Sequence, residues 1–388
     1  MSAATLVMAG GGTGGHVFPL VAVADALRAL RPELRLVFVG TAKGIESSVV
    51  PARGYELELL SVLPIRGGGV KGAVRGAARA AGAAGEARAL LRRLRPAAVF
   101  SIGGYAAGPV TLAARSLRLP VGLMEPNSVI GLANRWIAPL VQRAYTAFAD
   151  VERHFRSRVV LRTGVPIRDG FEPRPYEGPK SPLSVLVLGG SQGAKALNEA
   201  VPRALSDIRR PIDVVHQCGR VQEAEVVAAY AELAARTRVR VVPFIDDMPS
   251  ALAAADLVIG RSGASALAEI CAVGRPSILV PYPHAAGDHQ RRNAESLARA
   301  GAAVCVPSAR AFPERIAAEL CQLTRDASTL PTMARAARAL GRPHAARTIA
   351  RDLLALAGLG DPVPVAGGSP PGDRDLGFRL QSGVEDAV

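Results

Sequence analysis

The chain is expected to be an α/β protein made of two Rossmann-like, doubly wound parallel-sheet lobes facing a cleft. Three observations predict this. Residues 5–20 read as strand, glycine turn and helix, and residues 185–194 begin the same way again. Between and after these stretches, short apolar runs alternate with segments of helical periodicity, the pattern of a parallel sheet wrapped by helices. A Pro/Gly-rich stretch separates the two series.

The first turn organises the rest. Leu6 to Ala9 is an apolar run of buried-strand type, broken by Gly10, Gly11, Gly12, Gly14 and Gly15 with Thr13 among them. After His16, Val17, Leu20, Val21, Ala24 and Leu27 fall at helical spacing. Such a turn presents backbone N–H groups to an anion at a helix N-terminus. His16 stands on its lip, where an imidazole can reach a reacting hydroxyl.

Further strands are predicted at Leu36–Val39, Leu57–Leu59, Ala98–Ser101, Val121–Met124 and Arg143–Thr146, with helices at about 18–30, 44–52, 72–94, 105–117 and 131–138. The uncharged stretch 96–114 contains Gly103-Gly104 and Gly108-Pro109, which fits strand, turn and helix better than a membrane span. Prolines 166, 173, 175, 179 and 182 mark a linker. Strands then recur from Val185 and near Asp213–Gln217, Arg240–Pro243, Leu257–Gly260, Ser277–Pro281 and Ala303–Val306. The expected organisation is a first lobe over 1–164, a linker over 165–182 and a second lobe over 183–330. A helical stretch over 331–357 is expected to pack back across the linker. A Gly/Pro/Asp-rich tail over 358–388 is expected to be disordered.

At 388 residues the chain is long enough for two cores, and 49% hydrophobic against 21% charged residues is a globular composition. A net charge of +14 favours anionic partners without choosing among them. Residues 66–95 carry eight basic residues against the single Glu86, half of that excess. This segment reads either as a solvated arginine face or as a docking element for an anionic membrane surface. It holds no aromatic residue, and aromatics are 4% of the chain, so base stacking and a nucleic-acid partner are not expected. Cys218, Cys271, Cys305 and Cys321 are widely spaced, which points to free thiols rather than a metal cluster. No basic leader precedes an apolar stretch, so no signal peptide is expected.

Other candidates lie at the ends of the predicted strands. Gly103-Gly104-Tyr105 makes a second glycine turn, and Glu125-Pro126-Asn127 ends the strand from Val121. Glu125 reads as a surface carboxylate or as a group orienting an acceptor or His16, while Asn127 suits sugar hydroxyls. In the second lobe, Gly189–Gly193 offers Ser191 to a phosphate, and Arg261–Glu269 offers N–H groups near Ala264 and Ser265. Glu269 can accept both hydroxyls of a ribose. Phe244–Met248 reads as a loop for a planar base, or a plain turn. Arg168 can pair with phosphate. From His284 to Asn293, Asp288, Gln290 and Asn293 read as hydrogen-bonders to sugar hydroxyls; a metal site at His284, Asp288 and His289 fits less well.

In their order and spacing, Gly10–His16, Gly103–Tyr105, Glu125 with Asn127, Gly189–Gly193, Phe244–Met248, Arg261–Gly263, Glu269 and His289-Gln290 with Asn293 resemble the MurG family of peptidoglycan N-acetylglucosaminyltransferases. The resemblance covers about residues 4–355. It implies the GT-B fold and transfer of N-acetylglucosamine from UDP-N-acetylglucosamine to the muramyl sugar of lipid I, giving lipid II. It also implies a peripheral protein on the cytoplasmic face of the bacterial inner membrane. By position, Thr13, Gly14, Gly15, Asn127, Arg168, Ser191, Ile245, Ala264, Ser265, Glu269 and Gln290 would hold the donor. Ile245 would act through its backbone on uracil, Glu269 on the ribose and Gln290 on the sugar. Tyr105 is a further substrate-binding candidate; His16 would be the base, with Glu125 beside it as a catalytic candidate. No obligatory metal is expected. Family members often carry Thr where this chain has Ala266, and bulky apolar residues where it has alanine and arginine over 70–90. Membrane docking would therefore lean more on charge. The alternatives are another GT-B transferase with a different sugar or acceptor, a sugar-nucleotide epimerase, or a nucleotide-binding regulator without turnover.

Overall fold

The computed structural model describes residues 3–62, 69–190, 193–231, 233, 237–308 and 312–361, with backbone only over 69–81. The first lobe runs β1 (Thr5–Gly10), α1 (Gly14–Leu30), β2 (Arg35–Gly40), α2 (Glu46–Ala52), β3 (Glu56–Leu59), α3 (Gly69–Leu94), β4 (Ala98–Gly103), α4 (Ala107–Ser116), β5 (Val121–Glu125), α5 (Leu132–Ile137), β6 (Arg143–Thr146) and β7 (Val160–Arg162). The second runs β8 (Leu183–Leu188), α6 (Lys195–Ser206), β9 (Ile212–Gln217), α7 (Glu223–Ala231), β10 (Thr237–Val242), α8 (Met248–Ala254), β11 (Leu257–Gly260), α9 (Ala264–Val273), β12 (Ser277–Leu279), α10 (His289–Arg299), β13 (Ala303–Cys305) and α11 (Phe312–Leu323). Two helices follow, α12 (Thr329–Leu340) and α13 (Ala345–Leu356).

Both sheets are parallel throughout, in the orders β3-β2-β1-β4-β5-β6-β7 and β10-β9-β8-β11-β12-β13. Their central strands are buried on both faces: every residue of β1, β4, β5 and β11 is buried, so these strands read as largely apolar runs. The order reverses between β1 and β4 in one sheet and between β8 and β11 in the other. A crevice opens at such a switch point, outside the carboxyl ends of the strands. The described residues of the predicted glycine turns lie at these two points.

The structure differs from the sequence reading in three places. β7 was not predicted; it is a three-residue edge strand with a half-exposed pattern, too short to show periodicity. The linker packs on both lobes, which its composition did not show. Val165 joins the first lobe's core, whereas Ile167 and Phe171 join Leu186, Ile245 and Met248 in the second. The stretch 331–357 is two helices, broken at Gly341-Arg342-Pro343. A side chain at Gly341 would strike the Cys271 carbonyl, and Pro343 cannot continue a helix interior. α12 packs on α9, whereas α13 crosses to lie on α1 and contributes Ile349, Ala350, Leu353 and Leu354 to the first core. Of the expected tail, residues 358–361 continue from α13, and the Leu359 carbonyl accepts from Arg31 at 2.8 Å. Residues 362–388 lie outside the described residues.

Candidate active site in the cleft

The two glycine turns of the first lobe pack back to back because β1 and β4 are neighbours. Gly12 has φ +94° and Gly104 φ +90°, conformations that favour glycine, and a Cβ on Gly104 would collide with the Gly11 carbonyl. Tyr105 is 53% exposed, and its ring lies over Gly12. Thr13 caps α1 with extended backbone and no side-chain bond, leaving the first-turn N–H groups of Gly14 and Gly15 without an intrahelical acceptor.

His16 follows in that turn. Its Nδ1 lies 3.3 Å from the Gly11 carbonyl oxygen. A carbonyl only accepts, so this contact puts the proton on Nδ1 and the lone pair on Nε2. Burial pushes the imidazole below its ordinary value and His289 adds to the shift, while the Gly11 bond and Glu46 oppose it. The ring is therefore held neutral, in the tautomer of a base. Opposite Nε2 lies Asn134 of α5. Its Nδ2 donates to the Met124 carbonyl at 3.3 Å and to Glu125 Oε2 at 2.9 Å, whereas its Oδ1 is buried with no partner. A Cβ on Gly103 would sit 3.5 Å from His16 Nε2 and 3.3 Å from Asn134 Oδ1, so glycine keeps the space between them open. The sequence reading missed Asn134, which belongs to no motif it singled out.

Of the two readings of Glu125, burial excludes the surface carboxylate. It is 1% exposed, Oε1 accepts from the Asn127 N–H (3.1 Å) and Nδ2 (3.4 Å), and Oε2 accepts from the Gly131 N–H (2.9 Å) and Asn134 Nδ2. Burial raises its carboxyl and these four bonds oppose the rise. Enclosed by the protein's own donors, Glu125 holds Asn127 and Asn134 in place. Glu46 was also missed. It is 1% exposed and braces the first turn, accepting from the N–H of Gly12 (2.8 Å) and from the N–H (2.8 Å) and Oγ (3.0 Å) of Thr41.

In the second lobe, α9 starts at the β11 switch point behind an extended Gly263 with no side-chain cap. Ala264 is buried in the first lobe's core cluster, and α9 contacts α1. Ser265 Oγ is buried and has no partner. Glu269, further along the same helix, is pushed up to about 7 by burial, against the opposing Arg168 guanidinium. Arg168 lies 5.5 Å over the Phe171 ring. The Ile245 side chain is buried, leaving only its peptide groups for a ligand. Gln290 accepts the Tyr282 N–H at its Oε1 (3.0 Å). Ser191 lies outside the described residues.

Asn127 and Asn293 were expected to bind sugar hydroxyls. In the structure they bond to each other across the lobes at 3.2 Å; Asn293 is wholly buried and Asn127 half-buried. The residues weighed as a metal site are otherwise engaged: Asp288 pairs with Arg291, and His289 Nδ1 with the Ala286 carbonyl at 2.8 Å. Among the described residues, no group of three or more His, Cys, Asp or Glu side chains is placed to hold a metal ion.

Residues 6–146 match the glycosyltransferase family 28 N-terminal domain and residues 184–349 the family's C-terminal domain. A UDP-N-acetylglucosamine–N-acetylmuramyl-(pentapeptide) pyrophosphoryl-undecaprenol N-acetylglucosamine transferase of Sorangium cellulosum is 56% identical over 358 residues, 91% of this chain and 88% of its own. The protein of the same name from Anaeromyxobacter dehalogenans is 43% identical over 352 residues, 89% and 91% of the two chains. The crystal structure of Acinetobacter baumannii MurG superposes with a TM-score of 0.78 at 32% identity, covering 91% of this chain and 99% of that one. Two parallel sheets meeting at their switch points, with both domain matches in order and this identity over nine-tenths of the length, establish that the chain belongs to glycosyltransferase family 28, among the MurG N-acetylglucosamine transferases.

Proposed function

We propose that this enzyme transfers N-acetylglucosamine from UDP-N-acetylglucosamine to the muramyl hydroxyl of lipid I in one inverting displacement, with His16 as the base. The observation that carries the reading is the His16 ring: neutral, protonated at Nδ1, with Nε2 facing the gap beside Asn134. The acceptor oxygen attacks the sugar's anomeric carbon as its proton passes to Nε2. The carbon–oxygen bond to the diphosphate breaks, and UDP leaves with the negative charge. The uncapped start of α9, the unpartnered Ser265 hydroxyl and Arg168 stabilise that charge. Glu269 takes the ribose, the Ile245 backbone the uracil, and Gln290 the sugar. Asn134 Oδ1 accepts from a second donor on the acceptor.

The acceptor reaches this gap from a membrane. α5 turns Asn134 inward and leaves Leu132 and Trp136 about three-quarters exposed on the other side, with Arg135 exposed between them. α5 packs on α4, which exposes Leu112 and packs in turn on the basic α3. An indole flanked by cations suits the headgroup region of an anionic bilayer. No described helix is long and apolar enough to cross a membrane. The proposed docking is peripheral, on the cytoplasmic face where the nucleotide donor is found.

The test is a transfer assay with UDP-N-acetylglucosamine and a lipid I analogue. His16→Ala should cut kcat about 10²–10⁴-fold and leave UDP binding unchanged. Because burial lowers the His16 pKa, the parent's kcat should stay flat through pH 7 and fall only below the ordinary histidine range. Parental turnover in the variant would refute the base. Transfer to a different acceptor in preference to lipid I would favour another GT-B transferase.

A further inference from the structure

We propose that Asn293 is a positioning residue that latches the two lobes in their closed register and ties the donor side to the frame around His16. It lies in α10 and is 0% exposed. Its Oδ1 accepts from the Ser128 N–H and from the Ser128 Oγ, each at 2.8 Å. Its Nδ2 donates to Asn127 Oδ1 at 3.2 Å and to the Ser262 carbonyl at 3.3 Å. A primary amide has four hydrogen-bonding positions, and all four are used here. Three of the bonds cross between the lobes. The amide's orientation is dictated, since the Ser128 N–H can only donate and the Ser262 carbonyl can only accept.

The bonds continue on both sides. Asn127 is held by Glu125, which holds Asn134 through its other oxygen, opposite His16. Ser262 immediately precedes Gly263 at the start of α9, and its Oγ donates to the Gln290 carbonyl at 2.8 Å. One side chain thus connects the loop after β5 to the two donor-side segments. Opening the cleft breaks three of its bonds at once, and closing it restores a single register. Neither aspartate nor leucine can stand in. Aspartate would turn acceptors toward the oxygens of Asn127 and Ser262, and leucine would leave every partner unpaired. No role in touching substrate is needed, and the latch is independent of which acceptor hydroxyl reacts.

Asn293→Asp and Ser128→Ala test this in the full chain. The readouts are UDP affinity by calorimetry, kcat with a lipid I analogue, and the interlobe distance distribution in the presence of UDP. Labels go on Ala52→Cys in the first lobe and the exposed native Cys321 in the second. Asn293→Asp should broaden the distribution toward longer distances and lower kcat about tenfold or more, with UDP affinity within about threefold of the parent. Ser128→Ala, which removes one bond and keeps the backbone one, should shift both in the same direction by less. A folded Asn293→Asp with parental distances overturns the proposal, whether kcat is kept or lost. If Asn293→Asp does not fold, Ser128→Ala decides, and parental distances and kcat there overturn it equally. The distance and UDP measurements need no acceptor, so they stand or fall separately from the assignment of lipid I.

Discussion

The Glu46 carboxylate accepts the backbone N–H of Gly12 at 2.8 Å, fixing the turn that carries His16 from a helix on the neighbouring strand's return. Room for that carboxylate is made by three glycines. A Cβ on Gly11, Gly40 or Gly44 would overlap it. Glu46→Ala leaves the N–H groups of Gly12 and Thr41 without an acceptor and should cost about 1–3 kcal/mol of stability. Gly44→Ala should be damaging with Glu46 present and tolerated once Glu46 is alanine. Thermal melts of the two single variants and the double one check this sign change, which a generic loss of packing would not produce.

With Glu269 on the ribose, as proposed, UDP binding should depend on pH. Its carboxyl, raised to about 7, is substantially protonated at neutral pH in the empty site, yet only the ionised form accepts two ribose hydroxyls. UDP affinity should weaken as pH falls through 7, approaching about tenfold per pH unit once protonation dominates. Glu269→Gln should bind UDP more weakly at pH 8 and lose the slope. Calorimetry in buffers of different ionisation enthalpy should also detect proton release on binding by the parent only.

The hold of α13 on the first lobe centres on Asp352. Its fully buried carboxylate accepts from Tyr145 OH at 2.7 Å and from Arg143 Nε at 3.1 Å. Asp352→Ala strands a buried hydroxyl and a partly buried cation, at a cost of about 3 kcal/mol. For a unit the size of the first lobe that lowers Tm by about 6–12 °C. Calorimetry should place the loss in the transition of the first lobe, with UDP binding to the second intact below it.

The proposed membrane docking divides into an apolar and an ionic part. Trp136→Gln with Leu132→Gln should lower binding to anionic vesicles by about tenfold or more. Turnover on a water-soluble acceptor analogue should be unaffected. Among the basic side chains of α3, Arg93 is paired with Glu58 at 2.8 Å and Arg88 with Ser116, whereas Arg92 is exposed. Arg92→Glu should therefore weaken docking at low salt and matter little at high salt. Equal vesicle binding by all variants would return this face to plain solvent contact.

The double sheet was legible because its strands are buried on both faces and end in glycine turns, two signals that survive in one dimension. The positions of Gly10–Gly15, Gly103-Gly104 and Ala264–Glu269 followed from the rule that such turns meet at a sheet's switch point. The connections between them did not. Glu46, Asn134 and Asn293 act through bonds to residues 34, 9 and 165 positions away, and no local pattern marks a carboxylate or amide as turned inward. The same blindness left Glu125 open to reading as a surface carboxylate, because its place at a strand end suggested an open edge that Asn127, Gly131 and Asn134 in fact close.

α13 reaches the first sheet 209 positions after the arginine that its aspartate grips. During synthesis the strands of that lobe emerge long before the piece that covers them, and the second lobe is made in between. Until then an oily face around Met124 and Tyr145 lies open, the kind of surface that invites chaperones or self-association. A fragment cut at the linker would stay in that unfinished condition, so separating the lobes cleanly requires moving α13 to the fragment it serves.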